Sequence, residues 1–299
     1  MADIHRLIAQ QGVEEARRQA QTKRERALVE AAYQVITEEA DKLGFTYSGF
    51  ALTCLPHKPQ AEPIWRREGH NLTMLLQSGV DRAGGTLGVP YGSYARFILL
   101  FLQSQAIKTN SREIELGRSM RVWLGSMGLS IGGTTYRLVN EQARRISGCN
   151  LTFYTDRDNK EIMRRGGFVD GAITLTDAIS DQPSLWQEKV LLNEEFYRAL
   201  KNHPVPLSET ALRAIGPRSL VLDIYIWLAY RLHALQTDVS VSWPSLYAQF
   251  GAGYRRLRDF RAGFVEGLEL ALAVYPEAHV SVAEKGVVLR PSRPAIAHA

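Results

Sequence analysis

Cysteine is nearly absent: the 299 residues hold two, Cys54 and Cys149. Two thiols cannot build a disulfide framework, so each reads as a small packed residue in a reducing compartment. No apolar run reaches membrane-spanning length without interruption, and the stretch from Leu220 contains Asp223 and Arg231. The opening MADIHRL holds no apolar signal-peptide core. The expectation is a cytoplasmic protein with no membrane partner.

Enzyme motifs are also missing. There is no GxxxxGK[ST] phosphate loop and no GxGxxG after a strand. GGTLGVPYG, from Gly84, is rich in glycine but lacks the lysine that a phosphate loop uses. No His-x-x-x-His or Cys-x-x-Cys pair gives metal-ligand spacing. Asp156-Arg157-Asp158-Asn159 lacks the later glycine and glutamate of a calcium loop and reads as a turn. Tyr225, Tyr230 and Tyr247 sit among apolar neighbours and read as core residues before DNA-nicking nucleophiles. The chain is therefore expected to be no enzyme, with no catalytic residue, no metal and no cofactor.

What is present is basic charge arranged in a repeated pattern. Lysine and arginine number 36 against 31 acids, a formal net charge of +5 that favours a polyanionic partner. The chain is long enough for two modest domains with proper cores. GAGYRRLRDFRAGFVEGLELALAVY, from Gly251 to Tyr275, is the most informative stretch. Wrapped as a helix, Leu257, Phe260, Phe264 and Leu268 line one side. Arg255 and Arg258 lie roughly opposite, with Arg256 and Arg261 on the flanks. Acids are favoured near a helix N-terminus, so four arginines in the first two turns run against local preference. Two readings account for them: a DNA recognition helix, whose first residues reach bases and phosphates, or a solvated basic face.

The flanks favour the first. Pro276 ends the helix, His279–Val282 alternates like a half-buried strand, and Glu284-Lys285-Gly286 turns into Val287–Leu289. Upstream, Ser219–Leu235 reads as a buried helix and Val239–Val241 as a short strand. Ser245–Phe250 reads as a short helix behind Pro244. Helix, strand, helix, turn, helix, hairpin is the winged-helix order, with Lys285 at the wing.

The same order occurs earlier. Ser93–Ile107 reads as a buried helix, Glu113–Leu116 as a strand and Arg118–Ser126 as a helix. After glycines 128, 132 and 133 comes TTYRLVNEQARRISG, capped by Thr134 or Thr135 and ended by Gly148 in a left-handed conformation. On this helix Tyr136, Val139, Ala143 and Ile146 share one face. Arg137, Glu141, Arg144 and Arg145 face away. Leu151–Thr155 and Phe168–Leu175 read as strands, joined by DRDNKEIMRRGG, a basic wing that carries Arg164 and Arg165.

The fold class expected is therefore α+β, tandem winged-helix domains preceded by an N-terminal helix. Its divisions are an N-terminal helical extension over 1–44, a first winged helix over 45–180, a second over 181–291 and a flexible tail over 292–299. Asp177–Glu188 is the linker. Residues 3–43 contain no proline and carry an apolar strip of Leu28, Ala31, Ala32, Val35 and Ile36. That extension is a solvated tail, a partner-binding helix or a non-specific DNA arm. Leu72–Leu76 reads as a strand at a sheet edge, and RREGHNLTMLL, from Arg66, as DNA-facing or plain surface. The DNA-binding set is Arg137, Arg144, Arg145, Arg164, Arg165, Arg255, Arg256, Arg258, Arg261 and Lys285.

These residues resemble a family. VPYGSYARFILLFLQSQAIKTNSREIELGRSM from Val89 and GLSIGGTTYRLVNEQARRISGCNLTF from Gly128 carry the resemblance. So do LNEEFYRALKNHPVPL from Leu191, SLVLDIYIWLAYRL from Ser219, and VSWPSLYAQFG with its following basic helix. The chain resembles the RepA-type replication initiators of theta-replicating, iteron-containing plasmids, over roughly Pro90 to Leu289. The resemblance implies winged helices that bind direct repeats, called iterons, in the double-stranded DNA of the plasmid origin. It implies recruitment of a host initiator and replicative helicase. It also implies copy-number control through a homodimer off DNA and monomers on it. For the dimer surface, the Leu72–Leu76 edge is favoured over the strip Leu28, Ala31, Ala32 and Val35. A tandem winged-helix transcriptional regulator and a protein-binding scaffold are the alternatives.

Overall fold

The computed structural model describes residues 4–38, 42–69, 71–117, 119–157, 160–171, 173, 175–176, 185–186 and 189–296. In chain order they form α1 (Ile4–Gln11), α2 (Val13–Gln19), α3 (Lys23–Thr37), β1 (Leu43–Tyr47), α4 (Gly49–Leu52), β2 (Ile64–Gly69) and β3 (Leu72–Gln77). Next come α5 (Gly92–Thr109), β4 (Glu113–Glu115), α6 (Met120–Ser126), α7 (Gly133–Gly148), β5 (Asn150–Arg157), β6 (Lys160–Gly167) and β7 (Val169–Asp170). Then follow β8 (Leu175–Thr176), β9 (Leu185–Trp186), β10 (Lys189–Leu192), α8 (Glu194–Asn202), β11 (Pro204–Ser208) and α9 (Glu209–Ile215). The chain closes with α10 (Ser219–Arg231), a 3-10 turn, β12 (Val239–Ser242), α11 (Trp243–Phe250), α12 (Leu257–Ala273), β13 (Val280–Ala283) and β14 (Gly286–Leu289). The fold is mixed α+β. Among the described residues no helix is long and apolar enough to cross a membrane.

Two compact units divide the chain differently from the expected boundaries. One is Phe45–Pro204, and the other joins Met1–Gly44 to Val205–Ala299. The expected boundary at 180/181 and most of the Asp177–Glu188 linker lie outside the described residues.

In the second unit, α10 is apolar on every side, and Val221 through Ala229 are all buried, as befits a central helix. α12 packs along it, and α11 lies against α12. Trp227, Trp243, Phe250, Phe260 and Phe264 meet mostly edge to face, with centroids 5.4–6.4 Å apart. Ser242 caps α11 by accepting the amide of Ser245, and Pro244 sits in the first turn. The sheet runs β12–β14–β13, antiparallel throughout.

The N-terminal helices are part of this unit's core, not an appendage. Thr22 and Glu25 form a capping box at α3: Thr22 Oγ1 accepts the Glu25 amide and Glu25 Oε2 accepts the Thr22 amide. The buried face of α3, Val29, Ala31 and Ala32, packs on α9 and α12. Arg24 pairs with Glu269, and His5 Nε2 lies 3.2 Å from the carbonyl of Leu272. The expected flexible tail is likewise anchored at its start, where Tyr275 donates to the Arg293 carbonyl at 2.7 Å and Ser292 accepts the His279 amide.

In the Phe45–Pro204 unit, α5 is the buried helix, with Ile98, Leu102 and Ala106 fully enclosed. A four-stranded antiparallel sheet runs β2–β3–β5–β6, and a smaller one runs β4–β10–β7. Two sequence expectations fail here. β3 is no edge: it pairs with β2 on one side and β5 on the other, and Met74 is fully buried. The basic connection DRDNKEIMRRGG is mostly strand, because Lys160–Gly167 pairs residue for residue with β5. The sequence pattern hides this strand because β6 carries polar residues where a half-buried strand would alternate. The turn at Asp158–Asn159 lies outside the described residues. The two units also differ in topology: β12 joins the hairpin that follows α12, whereas β4 pairs with β10 and leaves the β5–β6 hairpin to another sheet.

Candidate nucleic-acid interface

The basic stretch of the second unit begins before its helix, not on it. A turn over Gly251–Tyr254 precedes α12, and Gly253 takes φ +101°, a left-handed conformation that suits glycine. Arg255 and Arg256 precede α12, Arg256 is its N-cap without side-chain capping, and the helix starts at Leu257. Sequence periodicity extended the helix one turn too far, because the arginines are good helix formers and the turn glycines lie four residues earlier. Leu257 is a second correction: it is 37% exposed among the arginines, while Phe260, Phe264 and Leu268 are buried as expected.

The dipole argument resolves through Asp259. It occupies the first turn of α12, where an acid is favoured, and accepts from Arg256 at 2.8 Å and Arg258 at 3.3 Å. Both arginines stay exposed, so these pairs are worth little and give way readily to a phosphate. Arg255 and Lys285 are exposed as well. Arg261 is different. Its guanidinium lies 4.9 Å over the Trp243 ring and donates to the Glu284 carbonyl at 3.2 Å.

In the other unit, α7 presents Arg137 and Arg144 to solvent and buries Thr135, Val139, Gln142, Ala143 and Ile146. Neither threonine caps it. The N-cap is Gly132, without a side-chain bond, and Thr135 is buried 3.4 Å from the Ser130 hydroxyl. Gly148 is not left-handed. Its role is close packing, since any side chain there would strike Leu87, and one at Gly79 would strike the Gly148 carbonyl.

Arg145 does not stand with its neighbours. It pairs with Glu141 at 3.0 Å, donates to the Val89 carbonyl at 3.2 Å and lies 5.0 Å over the Tyr91 ring. Its guanidinium fills the space a Gly88 side chain would need. It fastens the glycine-rich segment Gly84–Gly92 to α7. Tyr91 donates to Glu141 at 3.0 Å, and its phenol is raised by burial first and by that carboxylate second. Helical periodicity placed Arg145 on the outer face because it carries no knowledge of a loop folding over that flank.

Arg165 is exposed on β6 opposite Thr152, and Arg164 stands opposite Phe153, its side chain outside the described residues. Both cysteines are buried, and burial pushes the Cys149 thiol up to about 12. Tyr225 accepts the Ser208 amide at 3.0 Å, and Tyr247 donates to the Tyr254 carbonyl at 2.6 Å.

Residues 89–244, just over half the chain, match the sequence family described as plasmid-encoded RepA protein. The chain belongs to that family. It is a family of replication initiators, so this chain works in plasmid replication, on DNA and with the host replication machinery. No curated protein matches the chain. Its fold is similar to the crystal structure of a selenomethionine derivative of domains 2 and 3 of RctB. The TM-score is 0.52 at 12% identity, covering 82% of this chain and 98% of that one. A second crystal structure of RctB domains 2–3 gives a TM-score of 0.47 at 13% identity, covering 81% of this chain and 94% of that one. At such identity the likeness concerns fold and transfers no residue role.

Proposed function

We propose that this protein is a sequence-specific iteron binder with a winged helix in each unit, and that it acts by binding rather than catalysis. The observation that carries the reading is the start of α12. Arg255, Arg256 and Arg258 are exposed there beside a hairpin turn bearing Lys285, in the order α10, β12, α11, α12, β13, β14. Lysine and arginine at phosphates supply salt-dependent affinity, and a few side chains on α12 read base edges. Arg137 and Arg144 on α7 form the second contact surface, with Arg165 from β6. Arg145 is withdrawn from the set because it holds its own loop. Two tethered binding units raise each other's local concentration on neighbouring grooves.

The wider cycle follows from the same reading. Filled iterons load strain onto adjacent duplex, and a host initiator and replicative helicase complete opening. Homodimers off DNA and monomers on it set copy number. β3, paired on both sides, offers no free edge to a second copy.

Footprinting on the origin of the encoding plasmid tests the proposal. Arg255→Ala or Arg258→Ala should each cost about 1–3 kcal/mol of iteron affinity if they meet bases, with native circular dichroism. Full iteron affinity in the double variant would refute the assignment. Equal affinity for iteron and random duplex in the parent protein would refute sequence reading altogether, and no affinity for either would favour a scaffold role.

A further inference from the structure

Of the four arginines between Gly251 and Phe264, Arg261 alone contacts the hairpin turn. Trp243, the first residue of α11, is 3% exposed and stands edge-on to Phe264 in the core. Its backbone amide donates to the Lys285 carbonyl at 3.0 Å, and its indole Nε1 donates to the Glu284 carbonyl at 3.0 Å. Arg261 Nη2 donates to the same Glu284 carbonyl, and its guanidinium covers the indole. Three donors from two helices thus converge on two successive carbonyls of one exposed turn. Gly286 completes the seat, because any side chain there would strike the Val241 carbonyl. The turn of a surface hairpin normally keeps a mobile tip. This tip is tied to the core through Trp243 and to α12 through Arg261.

We propose that Arg261 is a positioning residue. It fixes the Glu284–Lys285 turn relative to α12 so that Lys285 meets a phosphate in step with Arg255, Arg256 and Arg258. The proposal rests on the DNA-binding reading of α12. Its physical content is preorganisation: a lysine on a fixed turn forfeits less freedom on binding than one on a mobile turn. It separates Arg261 from a direct phosphate contact, because the clamp needs a planar fork that both stacks on indole and reaches a carbonyl. A lysine keeps the charge but not that geometry.

The test uses the full chain and a duplex fragment of the cognate origin, with affinity measured across salt. Lys285→Ala should lower the salt slope by about 0.9, which is roughly eightfold in affinity at 0.1 M salt. Arg261→Met and Arg261→Lys should each lower affinity by up to the loss seen for Lys285→Ala. Adding Lys285→Ala to Arg261→Met should bring the loss to that of Lys285→Ala alone and no further. Amide exchange across residues 283–286 should speed up in both Arg261 variants and in Trp243→Phe, which keeps the ring packing but removes one donor. Wild-type binding by Arg261→Lys, or additive loss in the Arg261→Met/Lys285→Ala double variant, would overturn the proposal and make Arg261 a direct contact. An unaffected Lys285→Ala would overturn it too. Arg255→Ala and Arg258→Ala serve as the separate check. If they leave binding intact, the reading of α12 fails, whereas their loss with an additive Arg261 effect refutes the clamp alone.

Discussion

Arg144 and Arg145 are adjacent on one helix, yet their replacement by alanine should produce opposite phenotypes. Arg145 holds a partly exposed ion pair with Glu141, a bond to the Val89 carbonyl and a stacked contact on Tyr91. The pair is worth about 0.5 kcal/mol. The charged bond to a carbonyl adds about 1.5 kcal/mol, and the stacked contact about 0.5–1 kcal/mol. Arg145→Ala should therefore destabilise the Phe45–Pro204 unit by about 2.5–3 kcal/mol. For a unit of this size that lowers its melting midpoint by roughly 5–10 °C. Arg144 is exposed, so Arg144→Ala should leave stability within about 0.5 kcal/mol. It should instead reduce the salt slope of origin binding by about 0.9, one phosphate contact. Calorimetry and salt-dependent binding titrations on the two full-length variants decide the matter. A native midpoint for Arg145→Ala together with a reduced salt slope would refute the division and return Arg145 to the DNA surface.

Removing residues 1–38 should expose the faces of α9 and α12 that bury Val29, Ala31 and Ala32, giving an aggregating or dye-binding chain; a soluble product with native melting would make the N-terminal helices separable after all. Met74→Pro removes a ladder bond and a fully buried side chain from a central strand, at a cost of about 3–5 kcal/mol. Circular dichroism should report loss of the unit, and native spectra with a simple change of oligomeric state by light scattering would contradict this. Alkaline pH should also destabilise the protein. Burial raises Cys149 to about 12 and raises Tyr91, Tyr254 and Tyr275 above their ordinary value. Each folded value exceeds the unfolded one, so this stability is complete below the unfolded pKa near 9 or 10 and drains away as pH climbs towards the folded value. A melting midpoint that held steady between pH 9 and 11 would refute that burial.

Local chemistry was legible in the sequence. α10, α11 and the β13–β14 hairpin appear close to their expected bounds, because uniform apolarity, a Ser-x-Pro start and a Glu-Lys-Gly turn are decided within a few residues. Most of the inner faces of α7 and α12 were likewise written in their 3.6-residue spacing: Val139, Ala143 and Ile146 on one and Phe260, Phe264 and Leu268 on the other are buried, while Leu257 is not. Long-range pairing was not legible. β3 looked like an edge because nothing near it names β2 and β5 as partners, and β6 looked like a loop because its ladder bonds, not its side chains, make it a strand. The N-terminal helices found their place only against α9 and α12, across more than 160 intervening residues. The same limit governs the arginines. Sequence counted them and set them on a helix, and tertiary contacts then withdrew Arg145 to hold a glycine-rich loop and Arg261 to hold a hairpin turn. A guanidinium's charge is fixed by its chemistry, but whether it faces solvent or a carbonyl depends on which distant backbone folds back beside it.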